Sequence, residues 1–314
     1  MIRATLLVVA ALLPAQDVAW KTSWKETLKE AKAQNKLAVL LFYNKGVRDC
    51  KLYDEKTLAS SDVVNALRGA VCAKIDPEGP DDDNKLWQDL GQARLPMTYV
   101  FDPDGKLLAS IGTLNPTNYA GTLNAAGPAY FNKIKPAREA LAKDPEQPEK
   151  WASLGDAYVK LDAPDESGKS FDRAVEIYLK KGDKASALKV LSTQLDTFYE
   201  AKWYAPARNC CKKIQELDPS NETKLCARAA WVQGMGECKE QKWSEAIAVL
   251  KPACEKYKDS DLAAQMMFSL ASAYMYSRDK DTALALFEEI VKKFPGTETA
   301  TISQTQATKL RGGK

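Results

Sequence analysis

Residues 37–52 read Leu37-Ala-Val-Leu-Leu-Phe-Tyr-Asn-Lys-Gly-Val-Arg-Asp-Cys-Lys-Leu52, and this stretch decides the fold of the first part of the chain. Its first seven residues are apolar or aromatic and predict a buried strand. The residues that follow predict a turn and then a helix that begins at Cys50. A cysteine at the start of a helix is a candidate for a reactive thiol, because the helix N-terminus stabilises a thiolate.

The segments on either side of this stretch predict an α/β domain. Residues 23–32 place their apolar side chains on one stripe and predict a helix, and residues 70–76 predict a further strand. Two apolar runs at 98–101 and 107–111 are separated by Asp104-Gly105, which is a strong signal for a hairpin. The chain therefore begins with a sheet flanked by helices.

This arrangement resembles the thioredoxin family, whose members carry W-C-x-x-C-K where the strand meets the helix. Alignment of Cys50 with the second cysteine of that motif puts Gly46 at the tryptophan and Val47 at the first cysteine. The resemblance implies a thioredoxin-like domain over residues 16–131, with a central mixed sheet between helices.

The candidate site departs from the family pattern in three positions. The first cysteine is the family's nucleophile, and Val47 has no atom that can attack a disulfide. Gly46 replaces the tryptophan, and Leu41 stands where many members carry a buried acid that moves protons. Two interpretations of Cys50 stay open: a single reactive thiol, or a remaining resolving cysteine that is buried and inert.

Pro96 corresponds in this resemblance to the cis-proline beside the active site. Only an X-Pro bond adopts the cis form at low cost, so a bend can be fixed at this position. The resemblance implies that Pro96 positions a substrate and that the next residue, Met97, contributes to binding. We therefore name Cys50 and Pro96 as candidate catalytic positions, and Met97 as a candidate binding residue.

The second half of the chain shows helical periodicity and an internal repeat. Trp151, Leu154, Gly155 and Tyr158 have the W-x2-L-G-x2-Y spacing that is typical of tetratricopeptide (TPR) repeats. A second clear copy runs from residue 267 to 295, and two degenerate copies lie between them. The resemblance implies an all-α solenoid in which each helix pair buries the apolar face of its neighbour.

Small residues recur where the two helices of each pair should cross closely. Ser167, Ala207, Ala246 and Ala283 are separated by 40, 39 and 37 residues. We therefore predict four helix pairs over 148–314 with a C-terminal capping helix near 297–310, and a linker helix and loop over 132–147.

Composition excludes several classes of function. The chain has 314 residues, a formal net charge of +3 and no histidine. Sites that depend on histidine are therefore excluded, including Ser-His-Asp and Cys-His catalysis. No basic stripe indicates a nucleic-acid partner. We also predict no cofactor and no metal, because the cysteines lack CxxC spacing and the acidic stretch 76–83 does not fit an EF-hand.

The first residues predict a cleavable signal peptide over 1–15. One positive charge precedes the apolar run Leu6–Leu13, and the small residue Ala15 marks a cleavage site. The alternative is a buried N-terminal strand. With a signal peptide the protein would be secreted or periplasmic, and no membrane span would remain after cleavage.

The odd number of cysteines leaves at least one thiol without an intramolecular partner. Cys50 and Cys72 should lie at opposite ends of the sheet, too far apart to form a bridge. The five cysteines of the second half predict small core residues, with one bridge such as Cys226 to Cys254 as an option. The seven are Cys50, Cys72, Cys210, Cys211, Cys226, Cys238 and Cys254.

Two functions are consistent with these patterns. In the first, the protein is an interaction module that holds protein or peptide clients in the TPR groove and at the edge beside Pro96. In the second, it is a thiol-disulfide oxidoreductase or isomerase that acts through Cys50, while the repeats recruit clients. The absence of a nucleophile at Val47 favours the interaction module.

Overall fold

The computed structural model describes residues 18–79 and 81–312, without the side chains of residues 81–83. The predicted signal peptide over 1–15 lies outside the described residues. The chain divides into two compact units, of which the first ends at Asn132 and the second begins at Lys133.

The first unit is built on a mixed sheet of five strands in the order β1-β3-β2-β4-β5. The two neighbours of β2 differ in direction, since β3 is parallel to it and β4 is antiparallel. The strands are β1 (Trp20–Lys21), β2 (Ala38–Phe42), β3 (Val71–Ile75), β4 (Met97–Phe101) and β5 (Leu107–Ile111). The predicted strands are therefore present, and the Asp104-Gly105 turn joins β4 to β5 as expected.

Helices cover both faces of this sheet. They are α1 (Trp24–Gln34), α2 (Arg48–Leu52), α3 (Ser61–Leu67), α4 (Asp81–Asp89) and α5 (Pro116–Ala129). The side chain of Ser23 caps α1 by accepting a hydrogen bond from the backbone N–H of Glu26 at 3.3 Å. Helix α2 begins at Arg48, two residues before the predicted start at Cys50, and continues as a π-helical segment, Tyr53–Leu58.

Strand β2 is buried on both faces, which explains its uninterrupted apolar sequence. Leu40 and Phe42 belong to a core with α1 and α4, in which the Phe42 ring lies 4.7 Å from that of Trp87. Leu41 points to the opposite face, because side chains alternate along a strand, and it is fully buried. Leu41 therefore contributes to packing at the position where the related family carries an acid.

The second unit contains only helices. The first of them, α6 (Lys135–Lys143), precedes four antiparallel pairs and a final helix. The pairs are α7 (Pro148–Val159) with α8 (Pro164–Lys180), α9 (Lys184–Glu200) with α10 (Tyr204–Leu217), α11 (Leu225–Lys239) with α12 (Trp243–Lys256), and α13 (Ala263–Tyr276) with α14 (Lys280–Lys293); α15 (Glu298–Gly312) follows. The four pairs and the final helix agree with the prediction.

Close helix crossings within each pair depend on small residues, as the repeat spacing predicts. Ser167, Ala207, Ala246 and Ala283 are all at most 3% exposed. Glycine has the same function in the partner helices: a Cβ atom added at Gly234 would lie 2.4 Å from the Leu250 side chain. No larger residue fits at that crossing without displacing the neighbouring helix.

The first helices of successive pairs form a continuous layer. Helix α11 contacts α9 and α13, and α13 contacts α15, whereas the second helices of the pairs contact one another less. A layer of this kind curves with the first helices on the inside. The groove of the second unit is therefore lined by α9, α11, α13 and α15.

Candidate functional site

The predicted thiol site lies where β2 leads into α2. Cys50 is the third residue of α2, and its side chain is 0% exposed. Val47 occupies the N-cap position and is half-buried. At the start of this helix the partly exposed side chain is therefore a hydrocarbon, while the sulfur is directed into the core.

The surroundings of Cys50 suppress its ionisation. Burial raises the pKa of the Cys50 thiol above its usual value, and the negative charge of Asp54 adds to that shift. A backbone hydrogen bond from Asn44 and the positive charge of Lys74 oppose it only in part. Since the thiolate is the attacking form of cysteine, Cys50 is a poor nucleophile near neutral pH.

A polar cluster of Tyr43, Asp54 and Lys74 lies next to this thiol. The Tyr43 hydroxyl donates to Asp54 Oδ2 at 2.5 Å, and Lys74 Nζ lies 2.7 Å from Asp54 Oδ1. The same ammonium group lies 3.7 Å from the centre of the Tyr43 ring. Burial and the hydrogen bond to Asp54 raise the pKa of Tyr43, so the hydroxyl stays protonated. The sequence patterns gave no signal for this cluster, because its members come from three separate elements.

The peptide bond between Leu95 and Pro96 is cis, and Pro96 is buried. Met97 is the first residue of β4, pairs with Phe42 of β2 and is partly buried against the core. Arg94, two residues before the proline, forms an ion pair with Asp49 of α2 at 3.0 Å. The roles predicted for Pro96 in positioning a substrate and for Met97 in binding remain predictions.

The other cysteines resemble Cys50 in their chemistry. Burial raises the pKa of Cys72 and Cys211 to about 12, and that of Cys238 and Cys254 to about 11. All seven cysteines lie in the described part of the chain and are free thiols. The bridge considered between Cys226 and Cys254 is not formed, and the Cys226 thiol donates instead to the Asp218 carbonyl oxygen at 2.8 Å. Their small size suits helix packing, as the sequence predicts.

Metal and membrane sites were searched among the described residues only. There, no group of three or more histidine, cysteine, aspartate or glutamate side chains could hold a metal ion. None of the described helices is both long and apolar enough to cross a membrane.

The second unit contains an apolar pocket in the groove between α11, α13 and α15. Its volume is about 660 Å³. It is lined by Trp231, Met235, Cys238, Lys239, Gln241, Trp243, Gln265, Phe268, Ser269, Ser272, Tyr276, Thr299 and Ile302. The walls are therefore mainly aromatic and aliphatic, which is the usual character of a binding pocket.

Two side chains at this pocket are exposed to an extent that is uncommon for large apolar residues. Tyr276 is 60% exposed and Ile302 is 41% exposed. The Tyr276 ring stacks on that of Trp243, with 4.9 Å between their centres and 20° between their planes. Exposed apolar side chains gathered at one concave site indicate a surface for a partner.

Hydrogen bonds hold the floor of the pocket in place. The Trp231 indole N–H donates to Ser269 Oγ at 3.1 Å, and that hydroxyl donates to the Gln265 carbonyl oxygen at 2.8 Å. The Trp231 ring is thus presented to the groove in one orientation, which reduces the entropy lost on binding.

The groove continues from this pocket toward α9. A smaller concavity of about 300 Å³ shares Trp231 and Met235 with the pocket and adds Asp196, Glu200 and Arg228. Arg228 forms an ion pair with Asp196 at 2.7 Å. The sequence predicted a groove but not these residues, whose only signal was the presence of aromatic residues outside the repeat's core positions.

The comparison with protein families supports the repeat assignment. Residues 265–297 match the family model described as tetratricopeptide repeat, and this segment covers most of α13, all of α14 and the turn after it. The repeat copy predicted over 267–295 is thereby confirmed, and the second unit contains TPR-like helical repeats. A comparison with curated proteins gives no match.

Solved structures of TPR proteins are also similar to the chain. YrrB, described as a TPR protein with an unusual peptide-binding site, is 16% identical with a TM-score of 0.39, over 59% of this chain and 91% of YrrB. The apo form of RapI is 16% identical with a TM-score of 0.45, over 74% of this chain and 64% of RapI. A thermophilic TPR protein of Thermus thermophilus is 17% identical with a TM-score of 0.33, over 62% of this chain and 91% of that protein.

Proposed function

We propose that the protein is an interaction module whose second unit binds an extended segment of a partner polypeptide in the groove of its TPR-like repeats. One observation carries this proposal: the first helices of the repeats expose an aromatic and aliphatic pocket instead of a polar surface. Burial of the exposed Tyr276 and Ile302 side chains by a ligand would release ordered water and favour binding.

We further propose that the first unit is a thioredoxin-like domain without dithiol activity. The mixed sheet, the helix that follows β2 and the cis bond before Pro96 support the family resemblance. Val47 at the helix start and the buried thiol of Cys50 support the loss of activity. The alternative enzyme acting through Cys50 gains no support from the geometry, because a partner disulfide cannot reach the sulfur.

Export is also part of this proposal, and it rests on the sequence of residues 1–15. Fractionation of cells that produce the full chain, followed by N-terminal sequencing of the mature protein, tests it. A mature protein that begins after Ala15 in the exported fraction is the expected result. An uncleaved chain retained in the cytoplasm would contradict it.

The groove is tested with random peptides displayed on phage and selected against the full chain. Ile302→Asp places a charge in the apolar pocket and should weaken the selected peptides at least about tenfold, since a buried unpaired charge costs more than 1.4 kcal/mol. Leu179→Asp is the matched control, because Leu179 is 39% exposed in the same unit but does not line the pocket. Peptides that bind both variants equally well would refute the proposed site.

A further inference from the structure

The groove of the second unit carries opposite charges at its two ends. Of the residues that line the aromatic pocket, only Lys239 is charged. The adjoining concavity contains the carboxylates of Asp196 and Glu200 and the single cation Arg228. A ligand that follows the groove therefore meets a positive group near the pocket and a negative group beyond Trp231.

The positive end keeps its charge because the neighbouring acids are engaged elsewhere. Glu237 and Glu240 both form ion pairs with Arg208, at 3.3 Å and 2.7 Å, and Glu240 also pairs with Lys242. Lys239 is exposed and forms no ion pair within residues 18–79 and 81–312. Its ammonium group is thus available to an anion in the groove.

The negative end has a corresponding surplus. Arg228 is paired with Asp196, so its charge is already balanced. Glu200, at the end of α9, is exposed and has no cation partner in the part of the chain that the structure describes. One uncompensated carboxylate therefore remains beside the concavity.

We propose that the occupant of the groove is an extended segment in which an acidic residue, a large aromatic or aliphatic residue and a basic residue follow one another in space. This inference rests on the interaction function proposed above. The apolar side chain enters the pocket against Trp231 and Tyr276, the acidic residue lies near Lys239, and the basic residue lies near Glu200. Charge complementarity of this kind sets the direction in which the segment lies and excludes ligands of the reverse charge pattern.

The test is selection of random displayed peptides against the full chain, followed by selection against Lys239→Glu. Peptides for the wild-type chain should be enriched in Asp or Glu on one side of a large apolar residue and in Lys or Arg on the other. Peptides for the Lys239→Glu variant should lose the acidic preference, and a wild-type peptide should bind that variant about fivefold more weakly. Lys180→Glu, which changes an exposed lysine of α8 outside the pocket, should leave both results unchanged.

The outcomes separate this inference from the proposed function. Peptides that lose binding in Ile302→Asp but show no charge preference would refute the charge assignment and leave the groove in place. Peptides unaffected by Ile302→Asp would refute the groove itself. Circular dichroism and thermal unfolding of each variant show whether a lost signal reflects misfolding, and Lys239→Glu lies at an exposed position where the fold should tolerate it.

Discussion

The start of α2 and the groove on α11, α13 and α15 differ in what the fold does with their reactive or apolar groups. At α2 a sulfur that resembles a catalytic residue is completely buried, and the exposed cap position is occupied by Val47. In the groove, large apolar side chains that the core could have covered remain exposed. Accessibility, and not residue type alone, therefore separates an inert site from a candidate binding site.

The largest expected effect concerns alkylation of Cys50. Because its thiol is buried and its pKa is raised, iodoacetamide should modify it at least about 100-fold more slowly than a free cysteine in a peptide near pH 7.5. The rate should increase with pH, since only the thiolate reacts. Mass spectrometry of the native protein provides the measurement.

A matched variant sharpens this result. In Val47→Cys the new thiol occupies the partly exposed helix start, where it should react at least about tenfold faster than Cys50. Equal rates at the two positions would mean that the helix start is covered or that Cys50 is accessible, and the contrast between the two regions would fail.

The next largest effect concerns the helix layer that carries the groove. Gly234→Ala brings a Cβ atom to 2.4 Å from Leu250 and should lower the free energy of unfolding by up to about 3 kcal/mol. Gly168→Ala in α8 is the control, because nothing lies within 4 Å of its added Cβ, and it should be neutral or stabilising by up to about 1 kcal/mol. Denaturant titrations of both variants measure the difference.

Alkaline pH should destabilise the first unit through Cys72. Its pKa is raised to about 12 by burial, so the folded state keeps the proton at a pH where the unfolded thiol has lost it. Its contribution is present below about pH 8.5, the pKa of an unperturbed cysteine, and decreases as the pH rises.

Between pH 8.5 and 10 this group alone should cost about 2 kcal/mol of the free energy of unfolding. In Cys72→Ala the alkaline loss should be smaller by that amount, as denaturant titrations across this pH range would show. An unchanged pH dependence in the variant would contradict the raised pKa.

The smallest expected effect tests the cluster beside Cys50. Tyr43→Phe removes the hydrogen bond to Asp54 and should lower the free energy of unfolding by about 1 kcal/mol. Tyr276→Phe, at an exposed position in the groove, should change it by less than about 0.5 kcal/mol. Comparable losses in the two variants would show that the cluster contributes nothing special to stability.

Much of the local structure was predictable from sequence because its signals are local. The uninterrupted apolar run gave β2, and the W-x2-L-G-x2-Y spacing with its recurring small residues gave the helix pairs. The start of α2 was placed two residues late, since the turn before it lacks a strong capping side chain. Val47 was sufficient to argue against dithiol chemistry before any coordinates were considered.

The groove and the charge cluster could be seen only in three dimensions. Trp231, Gln265 and Ile302 come from three different helices, and Tyr43, Asp54 and Lys74 from three elements around one end of the sheet. Hydrophobic periodicity reports which face of a helix is buried, but not which apolar residues remain exposed after the helices stack. The sequence by itself determined the elements and the missing nucleophile, whereas tertiary packing buried Cys50 and opened the groove, because accessibility depends on neighbours that are distant along the chain.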